Sequence, residues 1–186
     1  MAIFLYFRGM KKNSEIQLDF EIDKLTKSIE NAISGESFLT EIVRLNVADK
    51  KIIKKSDWNF DWKKEIDDTT KLLFKLNTVE NPKIIQGLIS LTDKGDHIFM
   101  DLIESAKFNK GKSKLYSGVA GNLVAFACKT SFEKNYDGVV SFVAKTQLIE
   151  HYEKTLGAKR FAGNRMFIDT QEAKFLVKQY FKDFKL

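Results

Sequence analysis

The residues best suited to hold a ligand lie in Leu115-Tyr116-Ser117-Gly118-Val119-Ala120-Gly121, a small-residue loop that opens onto an amphipathic run. Small side chains at a strand-to-helix junction let main-chain N–H groups close on a phosphate, and the positive end of a helix favours its charge. Ser117, Gly118, Val119, Ala120 and Gly121 therefore form a candidate pyrophosphate cradle, set against the plainer reading of a Gly-containing helix entry. Ala106-Lys107-Phe108-Asn109-Lys110-Gly111-Lys112-Ser113 is a competing phosphate pattern, a relaxed P-loop with Ala in place of the first Gly. There Lys112 would reach phosphates and Ser113 would bind Mg²⁺. The strand before it reads as half of a hairpin, and Asp169 is its only candidate Walker-B acid, so the loop also reads as a basic surface turn.

Other reactive side chains are sparse. Two His and one Cys leave too little material for a zinc site. Cys128 sits mid-helix with no His nearby in sequence, which makes it a packed small residue rather than a nucleophile. Trp58-Asn59-Phe60-Asp61-Trp62 reads first as a hydrophobic helix start capped by Asp61, and second as a wall of a substrate pocket. Lys50–Lys55 with Lys63 and Lys64 is broken by Asp57, Asp61, Glu65, Asp67 and Asp68; a solvated face is expected, not a nucleic-acid surface.

The chain as a whole, 186 residues with a net charge of +6, is long enough for one domain with a sizeable core and favours anionic partners. A single Cys excludes an internal disulfide framework and suits a reducing, cytoplasmic setting. Met1–Arg8 is apolar but too short to be a signal core or to span a bilayer. It reads as an edge strand or an oligomer contact, with a homodimer one arrangement left open. No later run is apolar enough for a membrane.

Hydrophobic spacing then places the elements. Ile22, Leu25, Ile29 and Ile33, stopped by Gly35, predict a helix over 22–34; Phe38–Val47 alternates like a strand; Trp62, Ile66, Leu73 and Leu76 predict a helix over 60–76. Residues 84–91 and 97–104 form a hairpin about Thr92–Asp96. A helix over 119–133, a buried strand at 139–143, a helix over 147–156, a tight turn at 162–164 and a closing helix over 170–184 follow. The passage from His97 to Val143 is long enough for a parallel crossover. An α/β or α+β fold with a mixed sheet and helices on both faces is expected.

This order of parts resembles the GNAT superfamily of N-acetyltransferases over roughly residues 38–169. Gly118 and Ala120 fit the last small positions of that family's Gln/Arg-x-x-Gly-x-Gly/Ala motif, and Tyr152 with Leu156-Gly157-Ala158 resembles its Tyr-x-x-Leu-Gly-Phe ending. Ile85-Gln86-Gly87-Leu88-Ile89 and His97–Glu104 resemble the strands that precede the cofactor loop. The resemblance implies a mainly antiparallel central sheet and acetyl-CoA as co-substrate, with its phosphates met by residues 117–121 and by Lys112 and Lys114. It implies Glu104 as the base that frees an amine for attack, and Tyr152 as the acid for the departing thiolate. Direct transfer to an amine of unspecified class is the implied reaction. A non-catalytic binding protein of the same fold and a nucleotide-binding protein using 106–113 are the alternatives. Residues 1–34 would be an added element on a single domain, and 170–186 its C-terminal helix.

Overall fold

The runs at 72–78, 85–93 and 98–105 each carry one apolar set for each of two covered faces, and this decides the architecture. A computed structural model describes residues 15–186; the expected role of Met1–Arg8 falls outside them. β1 (Ile29–Asn31), β2 (Ser37–Phe38) and β7 (Tyr116–Ser117) make a small antiparallel sheet in the order β2-β1-β7. The main sheet contains β3 (Thr40–Arg44), β4 (Leu72–Thr78), β5 (Ile85–Asp93), β6 (Ile98–Ser105), β8 (Val140–Val143), β9 (Lys159–Ala162) and β10 (Arg165–Ile168). Its order is β3-β4-β5-β6-β8-β10-β9. Every pairing is antiparallel except β6 with β8, which run parallel because the chain crosses between them through α2 (Val119–Glu133).

Leu76, Ile89, Leu91, Ile98, Met100 and Ile103 point to one face, under α2 and α4 (Thr170–Tyr180). Leu73, Leu88 and Leu102 point to the other, under Trp58 and Trp62 at the start of α1 (Trp62–Asp67). The remaining helix, α3 (Ile149–Leu156), packs Tyr152 and Leu156 into the first of these cores. α2 is buried nearly all round, as expected for a helix held between a sheet and a second helix. Gly87 makes that approach possible: a Cβ there would lie 2.8 Å from Val119 Cγ1 and 2.9 Å from Leu123 Cδ1. Gly87→Ala is therefore expected to cost roughly 1–3 kcal/mol by overpacking, read by chemical denaturation. An unchanged midpoint would show that α2 can give way. Among the described residues, no helix is long and apolar enough to cross a membrane.

Two predicted helices are corrected. Residues 22–34 are not helical: the chain is extended and enters β1, and Ile33, an expected core position, is 96% exposed. The governing pattern is the alternation Leu18-Asp19-Phe20-Glu21-Ile22-Asp23, whose apolar members are all buried and whose acids are exposed. The helix expected over 60–76 ends at Asp67, where Asp68 Oδ1 accepts from Thr70 N–H (3.0 Å) and hydroxyl (2.6 Å), and residues 72–78 form β4. Leu73 and Leu76, three apart, share a helix face but lie on opposite sheet faces, and both faces here are buried. The closing helix stops at Tyr180 rather than 184.

Candidate functional site

The junction of β6, the 106–117 loop and the start of α2 is fixed by the loop's own polar contacts. Asn109, buried, donates from Nδ2 to Gln86 Oε1 (2.9 Å) and accepts at Oδ1 from Tyr116 N–H (3.2 Å). The loop's lysines thereby stand over a cavity of about 690 Å³, whose wall includes Glu104, Lys110, Lys112, Lys114, Val119 and Ala120. Asn59 and Phe60 close one side, and Asp19, Phe20, Glu21 and Asp23 the other. Its size suits a small-molecule site.

Five of the nine predicted residues thus meet at one cavity. Gly118, with φ +84°, is the left-handed residue before α2 and turns its N–H toward Asp23 Oδ1 at 3.1 Å. Lys114 Nζ meets the other oxygen of the same carboxylate at 2.7 Å. The candidate cradle therefore holds an anion already, one belonging to the chain. Ser117 belongs to β7 and pairs with Glu30 of β1. Gly121 is turned from the cavity: a Cβ there would run into the Tyr180 hydroxyl and lie 3.1 Å from Leu25 Cδ2. The P-loop expectation fails on geometry, since Ser113 leads to β7 rather than to a helix, and β6 is a hairpin partner of β5.

Glu104 is 2% exposed and its carboxylate accepts from four donors. These are Asn59 N–H (2.8 Å), Phe60 N–H (3.3 Å), Trp62 Nε1–H (2.9 Å) and Lys110 Nζ (2.8 Å). It ties the aromatic wall to the basic loop, and Asp61 caps α1 by accepting from Lys64 N–H, as its position in the sequence suggests.

Tyr152 is fully buried and does not line the cavity. Its hydroxyl donates to Phe20 C=O at 2.7 Å and accepts from Phe20 N–H at 3.2 Å, and its ring packs on Phe20 and Phe142. Burial, with lesser repulsion from Asp19 and Glu21, raises its pKa well above the ordinary phenol value. Burial likewise raises the pKa of the Cys128 thiol, in keeping with a packed residue.

Phe20, Asp23, Asn109 and Lys110 also line the cavity, and helix-period reasoning missed them. The alternation from Leu18 to Asp23 was the available signal for the first two. No local pattern marks Asn109 as the loop's anchor.

No protein-family model matches the chain. Comparison with curated proteins likewise finds no match. Solved structures do resemble it. A point variant of the SpeG spermidine N-acetyltransferase from Vibrio cholerae superposes with a TM-score of 0.53 at 16% identity, over 73% of this chain and 96% of that one. AtaTR bound with AcCoA gives a TM-score of 0.52 at 14% identity, over 74% of this chain and 97% of that one. Identities this low carry the fold and nothing finer. The mixed seven-stranded sheet, its parallel β6–α2–β8 crossover and these neighbours together give the chain the GNAT N-acetyltransferase fold.

Proposed function

We propose that the protein is an acetyl-CoA-dependent N-acetyltransferase that passes the acetyl group directly to an amine. The observation that carries this reading is the corner where Gly118 N–H and Lys114 Nζ converge on one carboxylate at the start of α2. Those donors fit a phosphate equally well, and the adjoining cavity has room for a ligand arm. The fold's acetyltransferase neighbours support acetyl transfer as the activity.

Acetyl-CoA, when bound, supplies a thioester carbonyl as electrophile. The chain's residues then have distinct tasks. Gly118 N–H, Lys114 and Lys112 hold phosphate charge, while Val119 and Ala120 give the cavity an apolar floor. Glu104 is the carboxylate in reach of the cavity for an amine proton, and through its four hydrogen bonds it also fixes Asn59, Phe60 and Lys110 around the acceptor. Tyr152 is the hydroxyl assigned to protonate the departing sulfur. A cytoplasmic setting fits a protein whose single cysteine is buried and unpaired.

A second reading, a binding protein without catalysis, is favoured by one observation. With Glu104 bonded to four donors and the Tyr152 hydroxyl bonded to Phe20, neither group is free to move a proton in this conformation. Release of free thiol from acetyl-CoA in the presence of a panel of primary amines separates the two. Amine-dependent release supports the enzyme; tight CoA binding with none supports the binding protein. Once an acceptor is known, Tyr152→Phe should slow single-turnover transfer by about 10²–10⁴-fold. A drop of less than about threefold would assign the hydroxyl to holding Phe20 alone.

A further inference from the structure

The most unusual feature of the molecule is what fills the gap between the two parallel strands. β6 and β8 start side by side but pair at only two positions, Ile98↔Val140 and Phe99↔Ser141. Beyond them the two strands share no further pairing, although β6 continues to Ser105. One edge of β8 is satisfied by β10 and its turn, where Ala144 N–H reaches Asn164 C=O at 2.9 Å. The groups pointing the other way, toward β6, are taken by Leu18: its N–H donates to Val143 C=O at 2.6 Å and its C=O accepts from Lys145 N–H at 3.1 Å. Leu18 forms a parallel bridge with Ala144, in the lane β6 has vacated.

From there the chain runs extended toward α2. Phe20 gives both its main-chain groups to the Tyr152 hydroxyl, and Ile22 N–H donates to His151 Nε2 at 2.9 Å. The run ends with the Asp23 carboxylate on Gly118 N–H and Lys114. One stretch thus places a single residue on the open edge of β8, gives its next main-chain groups to side chains of α3, and ends with an anion on the corner proposed to hold phosphate.

We propose that Leu18–Asp23 is an internal plug whose Asp23 carboxylate imitates a phosphate of an acyl-CoA and must leave its seat before that phosphate can bind. This rests on the acetyl-CoA reading above and adds a regulatory step to it. The plug's anchors are one ladder bridge, one phenol, one imidazole and two carboxylates, Asp19 on Lys145 and Asp23 on the corner, with Leu18, Phe20 and Ile22 buried beneath. Its release also frees the Tyr152 hydroxyl, so donor entry and arming of the proposed acid are one event.

The test uses the full chain in two measurements. By hydrogen–deuterium exchange, saturating CoA should speed exchange in peptides covering 15–23 by tenfold or more and leave β5 unchanged. By calorimetry, Asp23→Asn should bind CoA about tenfold more tightly, because apparent affinity scales with the fraction of molecules already open and a charge-assisted hydrogen bond of the closed form is lost. CoA binding that leaves 15–23 as protected as before overturns the plug while leaving the acetyl-CoA reading intact. Weaker binding by Asp23→Asn overturns it too, by making Asp23 part of the ligand's own site. If neither wild type nor Asp23→Asn binds CoA, the acetyl-CoA reading fails and the plug with it.

Discussion

Glu104→Ala is expected to destabilise the protein by about 4 kcal/mol, lowering Tm by roughly 8–16 °C in a chain of this size. The side chain is almost wholly buried, and its removal leaves the Trp62 indole N–H and the Asn59 and Phe60 amides without their acceptor. Buried donors left unpaired cost about 1–3 kcal/mol each. Lys110, more than a third exposed, recovers water and contributes little to the loss. Glu104→Gln keeps one acceptor oxygen and should cost about half as much. Calorimetric melting of both variants checks this, and a loss under about 1 kcal/mol for the Ala variant would mean that the 59–62 wall is held by its tryptophans alone. The Gln variant also addresses catalysis: if it folds and binds CoA but transfers acetyl at the wild-type rate, Glu104 is a positioning residue and the amine's proton leaves by another route.

Gly118→Ala should cost roughly 3 kcal/mol, or about 6–12 °C in Tm. Two effects add. At φ +84° an L side chain is strained, and its Cβ would run into Thr26 Oγ1 and lie 2.9 Å from Ser28 C=O. Gly95, at φ +87° with nothing within 4 Å, provides the control: Gly95→Ala carries the strain alone, at about 1 kcal/mol. The difference between the variants measures how firmly the 23–28 segment sits on the start of α2. Equal losses would show that the segment yields freely.

These residues also mark how far the sequence could be read. α2 was legible because Gly118 opens it, its apolar positions recur with helical spacing, and no Pro or Gly interrupts it after Gly121. The β5–β6 hairpin was legible from the Asp93-Lys94-Gly95-Asp96 turn between two apolar runs. The start of the chain was misread because two periods overlap there. Ile22, Leu25, Ile29 and Ile33 keep helical spacing while Leu18–Asp23 alternates, and the exposed strand edge of β8 decides for the extended form. Leu73 and Leu76 misled for a related reason, since a sheet covered on both faces has no polar side to betray its period. Within the candidate site, the proposed cradle and its lysines were visible as types in a row. The partners that define their chemistry were not: Asp23 lies 95 residues from Gly118, and Phe20 lies 132 from Tyr152. Such contacts leave no spacing to read, because only the fold brings them together.

The corner at Gly118 and Lys114, with the cavity beside it, is proposed to take an acyl-CoA. Thermal shift with acetyl-CoA, CoA and ATP·Mg²⁺ side by side tests it most directly, since a ligand that binds only the folded state raises stability. At a concentration near a hundred times Kd, acetyl-CoA and CoA should each raise Tm by roughly 5–10 °C, and ATP·Mg²⁺ by far less. A shift with ATP·Mg²⁺ and none with either form of CoA would rule the corner out as an acyl-CoA site.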